Sequence, residues 1–345
     1  MDLEEKLIQD IRAGNSVSLE RGLLIISGLK GERELETYSQ KLDQIYYGFV
    51  ERLATKSPLS LSSTRKYMTR TLAKRLFEHL WNAKPRRCDS NFLLTDVIDA
   101  QLSPEVNQKV GSCIGLTSLY TVLGLREGLN LAILVSGTHI LNRLRIDGTD
   151  FCNIDNTDPQ GFDCSIKEEF LEYPPIKLVA NVLNSRGMAW ERVDYLQEAK
   201  EDFEKAISVN PDYASAHNNL GNIKAKQRKY AEATVDYNRA IALNGQFIEA
   251  YFNRGIAREH LGDLAGAIED FSRAIELDSE CGDAYFRRGS AKERTGDYPG
   301  ALADFDRALE IDPQSKSKVM KFRNRAAASQ KAAQRSSIKQ TPSKQ

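Results

Sequence analysis

Residues 248–281 read IEAYFNRGIAREHLGDLAGAIEDFSRAIELDSEC, and residues 282–315 read GDAYFRRGSAKERTGDYPGALADFDRALEIDPQS. Laid one over the other, they agree at Gly255 and Gly289, Ala267 and Ala301, Phe271 and Phe305, and Ala274 and Ala308. The same phases continue towards the N-terminus at Gly187 and Gly221, Ala199 and Ala233, Phe203 and Tyr237, and Ala206 and Ala240, a period of 34 residues. Two short antiparallel helices per period account for this pattern. Glycine or alanine stands where two backbones approach closely, and the aromatic fills the gap between successive units. Each copy closes at a turn, marked by Pro211, Gly245, Ser279 and Pro313.

These phases resemble the tetratricopeptide repeat, in four copies at 180–213, 214–247, 248–281 and 282–315. The resemblance implies an all-α superhelix that acts as an interaction scaffold, with the first helix of each repeat facing a concave groove. Those helices carry Asn184, Asn218, Asn219, Asn222, Asn253, His260, Arg287 and Arg294, together with Arg192 and Lys226. Asn219 and Asn253 stand at equivalent places and resemble the ladder that grips a peptide backbone in this family, since an amide donates and accepts at once. The basic members favour an acidic partner. The expected partner is a protein or an extended peptide segment.

The bulk numbers bound the rest. At 345 residues the chain is long enough for two cores. Acids and bases balance at 48 each, so no global field points to nucleic acid or to a membrane surface. Nine of the bases fall after Pro313 with no acid among them, which leaves residues 1–313 with nine more acids than bases. The basic tail has only Phe322 as an aromatic platform, so a capping role is favoured over RNA binding. No apolar run approaches the roughly 20 residues of a membrane helix, and the start, MDLEE, lacks a signal-peptide core. Five scattered cysteines without a Cys-x-x-Cys pair argue against a disulfide framework and a structural metal site. A soluble cytoplasmic protein without cofactor or metal is expected; its oligomeric state is left open.

The N-terminal region reads differently. Residues 1–83 carry helical periodicity, clearest at Leu35, Tyr38, Leu42, Ile45, Tyr46, Phe49 and Leu53. A loop is expected at 56–63, with Ser63 or Thr64 capping a helix that runs to Trp81, and a short helix at 92–101. Residues 113–127 then read as a helix ending near Gly128, and 129–135 as a strand. Segments 139–145 and 149–155 flank Asp147-Gly148, a hairpin signal. A three-residue loop with Gly148 left-handed would pair 145 with 149 and set His139 directly across from Asp155. A two-residue turn would put them on opposite faces. Beyond the repeats, 316–335 is expected to form a capping helix through Val319, Met320, Phe322 and Ala326.

Cys113, His139 and Asp155 are the candidate chemistry. A nucleophilic cysteine needs a stabilised thiolate, a nearby base and a group that orients the base. Cys113 follows Gly111-Ser112 at a helix start, where unpaired N–H groups and the helix dipole favour negative charge. Gln108 is read as a surface polar group rather than an oxyanion donor. The segments Gly111-Ser112-Cys113, Arg126-Glu127-Gly128-Leu129, Thr138-His139-Ile140 and Ile154-Asp155-Asn156-Thr157 resemble those of the transglutaminase-like superfamily. The helical lead-in at 18–54 and the fusion to repeats resemble its Sir-B type regulator branch in bacteria. This implies an α+β papain/transglutaminase-like domain at 1–165, a linker at 166–179, repeats at 180–315, and a basic capping helix and tail at 316–345. It further implies a cysteine acyl-transfer or amide-cleaving enzyme with Cys113 as nucleophile, His139 as base and Asp155 as orienter. The departures are that no aromatic follows Cys113 or His139. The alternative is an idle adaptor that works through the repeats alone.

Overall fold

The computed structural model describes residues 2–55, 65–83, 93–104, 112–136, 139–158, 160–164 and 170–339. The expected loop at 56–63, its capping residues Ser63 and Thr64, and Gln108, Gly111 and Thr138 lie outside the described residues. The chain divides into two compact units between Pro211 and Asp212.

The first unit opens with helices α1 (Leu3–Arg12), α2 (Leu19–Ile26), α3 (Glu32–Thr55), α4 (Arg65–Ala83), α5 (Leu94–Leu102) and α6 (Cys113–Arg126). Leu35, Leu42, Ile45 and Phe49 form the buried face of α3, at the spacing the sequence shows. Helix α6 is buried on all sides from Gly115 to Gly124 and is the centre of the unit. It ends where Gly128 takes a left-handed φ of 71°. Tyr120, fully buried on α6, anchors it to α4 by donating its hydroxyl to the Ala73 carbonyl at 2.9 Å.

Next come strands β1 (Leu131–Ser136), β2 (His139–Arg145), β3 (Phe151–Ile154) and β4 (Leu171–Tyr173), in the antiparallel order β3-β2-β1-β4. β4 lies within residues expected to be a linker. Its partner β1 is apolar and buried, and the extra strand covers the edge of β1 that β2 leaves open. The hairpin also departs from expectation. Arg145 pairs with Phe151 and Asn142 with Ile154, so the loop spans the five residues 146–150 rather than three, and Gly148 is not left-handed. Asp147 explains the wider turn, because its carboxylate accepts the backbone N–H groups of Thr149 at 3.1 Å and Asp150 at 2.8 Å.

Helices α7 (Leu178–Arg192) and α8 (Leu196–Val209) complete the first unit and form the first helical pair. This pair packs against α1, α2 and α6, burying Leu178, Val179, Val182 and Leu183. Glu4 of α1 receives Arg186 at 2.9 Å and Lys205 at 2.7 Å, and Arg186 also donates to the Ile26 carbonyl.

The second unit holds three more pairs: α9 (Ala214–Lys226) with α10 (Tyr230–Leu243), α11 (Ile248–Leu261) with α12 (Leu264–Leu277), and α13 (Gly282–Thr295) with α14 (Tyr298–Ile311). Helix α15 (Lys316–Lys339) follows, and its Val319 and Ala326 are buried beside Phe286 and Phe305 with Phe322 packed against them. The glycine-aromatic phase has a direct cause. A Cβ on Gly187, Gly221, Gly255 or Gly289 would stand 2.7, 2.6, 2.7 or 3.0 Å from the ring of Phe203, Tyr237, Phe271 or Phe305. No side chain fits there. A second phase lies in the turns between paired helices: Gly262 and Gly296 are left-handed at φ 83° and 89°, and Asp194 and Arg228 hold the equivalent places at φ 62°.

Candidate functional site

Cys113 is the first residue of α6, His139 the first of β2, and Asp155 follows the last residue of β3. His139 Nε2 lies 2.9 Å from Asp155 Oδ2, and Cys113 is near enough to the same imidazole to act on its titration. The observed hairpin register differs from the expected one by two residues, so the two side chains share a face diagonally instead of standing directly opposite. A shift of one would have separated them.

A web of buried amides and hydroxyls holds the three carrier elements in place. Asn142 of β2 donates to Thr121 Oγ1 on α6 at 2.7 Å, and Asn156 donates to Asn142 Oδ1 at 2.8 Å and to Thr117 Oγ1 at 3.4 Å. Thr117 in turn donates to the Ile140 carbonyl at 3.2 Å. Asp155 itself is held by Thr157 through its hydroxyl at 2.5 Å and its backbone N–H at 2.9 Å, both to Oδ1. Sequence reading gave no role to these five residues, although the run Asp155-Asn156-Thr157 is an Asx-turn signal that could have found Thr157. Nothing in sequence spacing ties Asn142 to Asn156.

The electrostatics follow from these contacts. The hydrogen bond to Asp155, then that to Cys113, pushes the His139 pKa up to about 10 against the opposing effect of burial. Burial raises the Asp155 pKa, but the hydrogen bonds from His139 and Thr157 outweigh it and hold the carboxyl below its ordinary range. Both contacts favour the protonated ring, with Asp155 as its carboxylate partner. Elsewhere, burial pushes the Cys152 thiol up to about 11 and also raises Cys164 and Cys281. His79 is pushed down to about 4, by burial and then by Arg52.

The groove candidates divide. Asn253 donates to Asn218 Oδ1 at 3.2 Å and to Asn222 Oδ1 at 3.0 Å, and Tyr237 also donates to Asn222 Oδ1 at 2.9 Å. These three asparagines form one cluster, in which Asn253 meets Asn218 and Asn222 rather than the equivalent Asn219. Arg287 and Arg294 both reach the single carboxylate of Glu259, at 3.5 and 3.1 Å, so their charge is only partly offset. His260 is stacked on Tyr230 with ring centroids 4.2 Å apart. Asn184 is buried in the first unit, its amide directed at Met188 Sδ. Sequence reading also missed four buried acids at a single phase, Asp202, Asp236, Asp270 and Asp304. Arg186, Arg254 and Arg288 pair with three of them at 2.6 Å, and Lys224 pairs with Asp236 at 2.7 Å.

Residues 180–213, 214–247 and 252–316 match sequence profiles of the tetratricopeptide repeat. The C-terminal region is therefore an array of tetratricopeptide repeats, a protein-binding scaffold. Among similar solved structures, the OM64 TPR domain of Arabidopsis is 32% identical over 33% of this chain and 94% of its own, with a TM-score of 0.32. The first TPR of Spaghetti (RPAP3), bound to the HSP90 peptide SRMEEVD, is 27% identical over 34% of this chain and 93% of its own, with a TM-score of 0.34. MamA from Desulfovibrio magneticus RS-1 is 23% identical over 39% of this chain and 76% of its own, with a TM-score of 0.37. No curated protein matches the chain. Among the described residues, no helix is long and apolar enough to cross a membrane.

Proposed function

We propose that the N-terminal region is a transglutaminase-like domain that performs acyl transfer or amide cleavage through Cys113 on a protein held by the repeats. The observation that carries this reading is the 2.9 Å contact of His139 Nε2 with Asp155 Oδ2, with Cys113 at the start of α6 also acting on the ring. Cys113 opens α6, and in this reading its proton resides on His139 while its sulfur acts as the nucleophilic thiolate. That thiolate attacks a carbonyl carbon to give a tetrahedral adduct. His139 then delivers its proton to the departing amine, leaving an acyl thioester on sulfur. In the second half-reaction the neutral ring takes a proton from water or from an acceptor amine, whose attack releases Cys113. Asp155 stays ionised throughout and keeps the ring turned towards sulfur. On the repeats, Asn222 keeps its amide N–H groups and Asn253 its carbonyl for a bound segment. One donor and one acceptor suit the backbone of an extended peptide.

The test is alkylation of the native full-length chain with iodoacetamide near neutral pH, read by peptide mass spectrometry. Cys113 should react faster than Cys88, Cys152, Cys164 and Cys281, and His139→Ala should remove that advantage. Reaction of Cys113 only in denaturant would sink the enzyme reading and leave an adaptor that works through its repeats.

A further inference from the structure

The two carboxylate oxygens of Asp155 have different partners. Oδ2 faces His139 Nε2, whereas Oδ1 accepts both the hydroxyl and the backbone N–H of Thr157. We infer that Thr157 is a positioning residue, which clamps Oδ1 so that Oδ2 is presented to His139 at a fixed angle. The inference rests on the catalytic reading of Cys113, His139 and Asp155 given above. Rotation about the bond from Cβ to an aspartate carboxylate is broad, so the backbone alone does not decide which oxygen meets the ring. Two donors on one oxygen remove that freedom, and both come from one residue two places along the chain.

Thr157 is itself fixed by the loop it occupies. The Asp155 N–H donates to the Gly161 carbonyl at 2.9 Å, and the Gly161 N–H donates to the Asp158 carbonyl at 2.9 Å. The closure is tight enough that a Cβ on Gly161 would lie 2.2 Å from the Asp155 carbonyl oxygen. The clamp is therefore built into a closed turn and does not depend on a bound substrate. Among the described residues, the other titratable groups near Asp155 are His139, Asp158 and the Cys164 thiol, which takes a hydrogen bond from the Asp155 backbone. None of these meets Oδ1 as a donor.

A residue that merely braced the loop would change stability and leave His139 alone. One that merely spread the carboxylate charge would, on removal, strengthen the pull of Asp155 on the ring and raise its pKa. A clamp predicts the opposite sign, because an untethered carboxylate spends less time aligned with Nε2. The experiment is a histidine NMR titration of the folded full-length chain, with His139→Gln to assign the resonance, for wild type, Thr157→Val and Thr157→Ser. Wild type should titrate well above the ordinary 6.5. Thr157→Val should bring the midpoint down by about one unit, the size of a tenfold loss in one charge-assisted hydrogen bond. Thr157→Ser should restore it, and Cys113 alkylation at pH 7 should fall and recover in step. An unchanged or raised midpoint in Thr157→Val overturns the clamp. A wild-type midpoint near 6.5 instead overturns the parent reading of the triad, and the clamp with it. If the valine variant fails to fold, Thr157→Ala supplies the same comparison, since it retains the backbone N–H.

Discussion

The repeats and the N-terminal domain build their interiors from contacts of different reach. In three of the four repeats, an arginine and a buried aspartate pair at a separation of 16 residues, at 186 and 202, 254 and 270, and 288 and 304. Each glycine meets its aromatic at that same separation. In the N-terminal domain, Tyr120 finds the Ala73 carbonyl 47 residues away, and Arg126 reaches Glu20 across 106 residues. Interactions of the first kind are written into the chain several times over, so that each copy verifies the others. Those of the second kind are written once.

The comparison can be broken first at a buried ion pair. Asp270 accepts from both Arg254 and Arg258, at 2.6 and 3.0 Å. Asp270→Ala should cost about 3–5 kcal/mol, because it strands two part-buried guanidinium groups. Asp212 meets Arg239 at 3.2 Å on the exposed surface, where solvent screens the pair, so Asp212→Ala should cost less, about 1 kcal/mol at most. Hydrogen exchange of the full chain, read by mass spectrometry, should show the larger loss of protection in α11 and α12. Equal losses at the two sites would mean that burial of the Asp270 pair contributes nothing extra.

A smaller effect is expected at the glycines. Gly221→Ala would set a methyl against the Tyr237 ring and should cost about 1–3 kcal/mol through overpacking. Gly148 has nothing within 4 Å of an added Cβ and is not left-handed. Gly148→Ala should therefore leave thermal unfolding unchanged or slightly delayed. If both substitutions behave alike, close approach is not what selects glycine in the repeats. A third change has the opposite sign. Arg228→Gly would relieve a left-handed residue at the place where the third and fourth repeats already carry glycine. It should stabilise the α9–α10 turn by about 1 kcal/mol, seen as slower exchange around that turn.

How far each region could be read follows from the same contrast. The repeat phases, the capping helix and the glycine–aromatic contacts were visible as a period. The left-handed turn was half hidden, since Asp194 and Arg228 replace the glycines that would have announced it. In the N-terminal domain, helices such as α3 were legible from a buried stripe. β4 was not, because three residues are too few to display an alternation. The hairpin loop was misjudged because Asp147-Gly148 suggests a tight turn, whereas the Asp147 side chain holds a wider one. The parity of the strands survived that error, and the expectation that His139 and Asp155 share a face depended on parity alone. The groove was read as exposed amides and cations, but the pairing of Asn253 with Asn218 and Asn222, and of both arginines with Glu259, depends on neighbouring helices that no single repeat reveals.

Glu4 gives the chain an unexpected seam. By holding Arg186 and Lys205 it fastens α1 to the first helical pair, and Arg186 is the side chain that neutralises Asp202 inside that pair. The first repeat is thus a repeat by descent of pattern but part of the N-terminal unit by attachment. Grafting this array onto a different head by cutting before residue 180 would sever those ties, leave Arg186 one carboxylate short and bare Val182 and Leu183. A junction after Pro211 would leave both ends of those ties together on the original head. The interchangeable module is shorter than the run of repeats that advertises it.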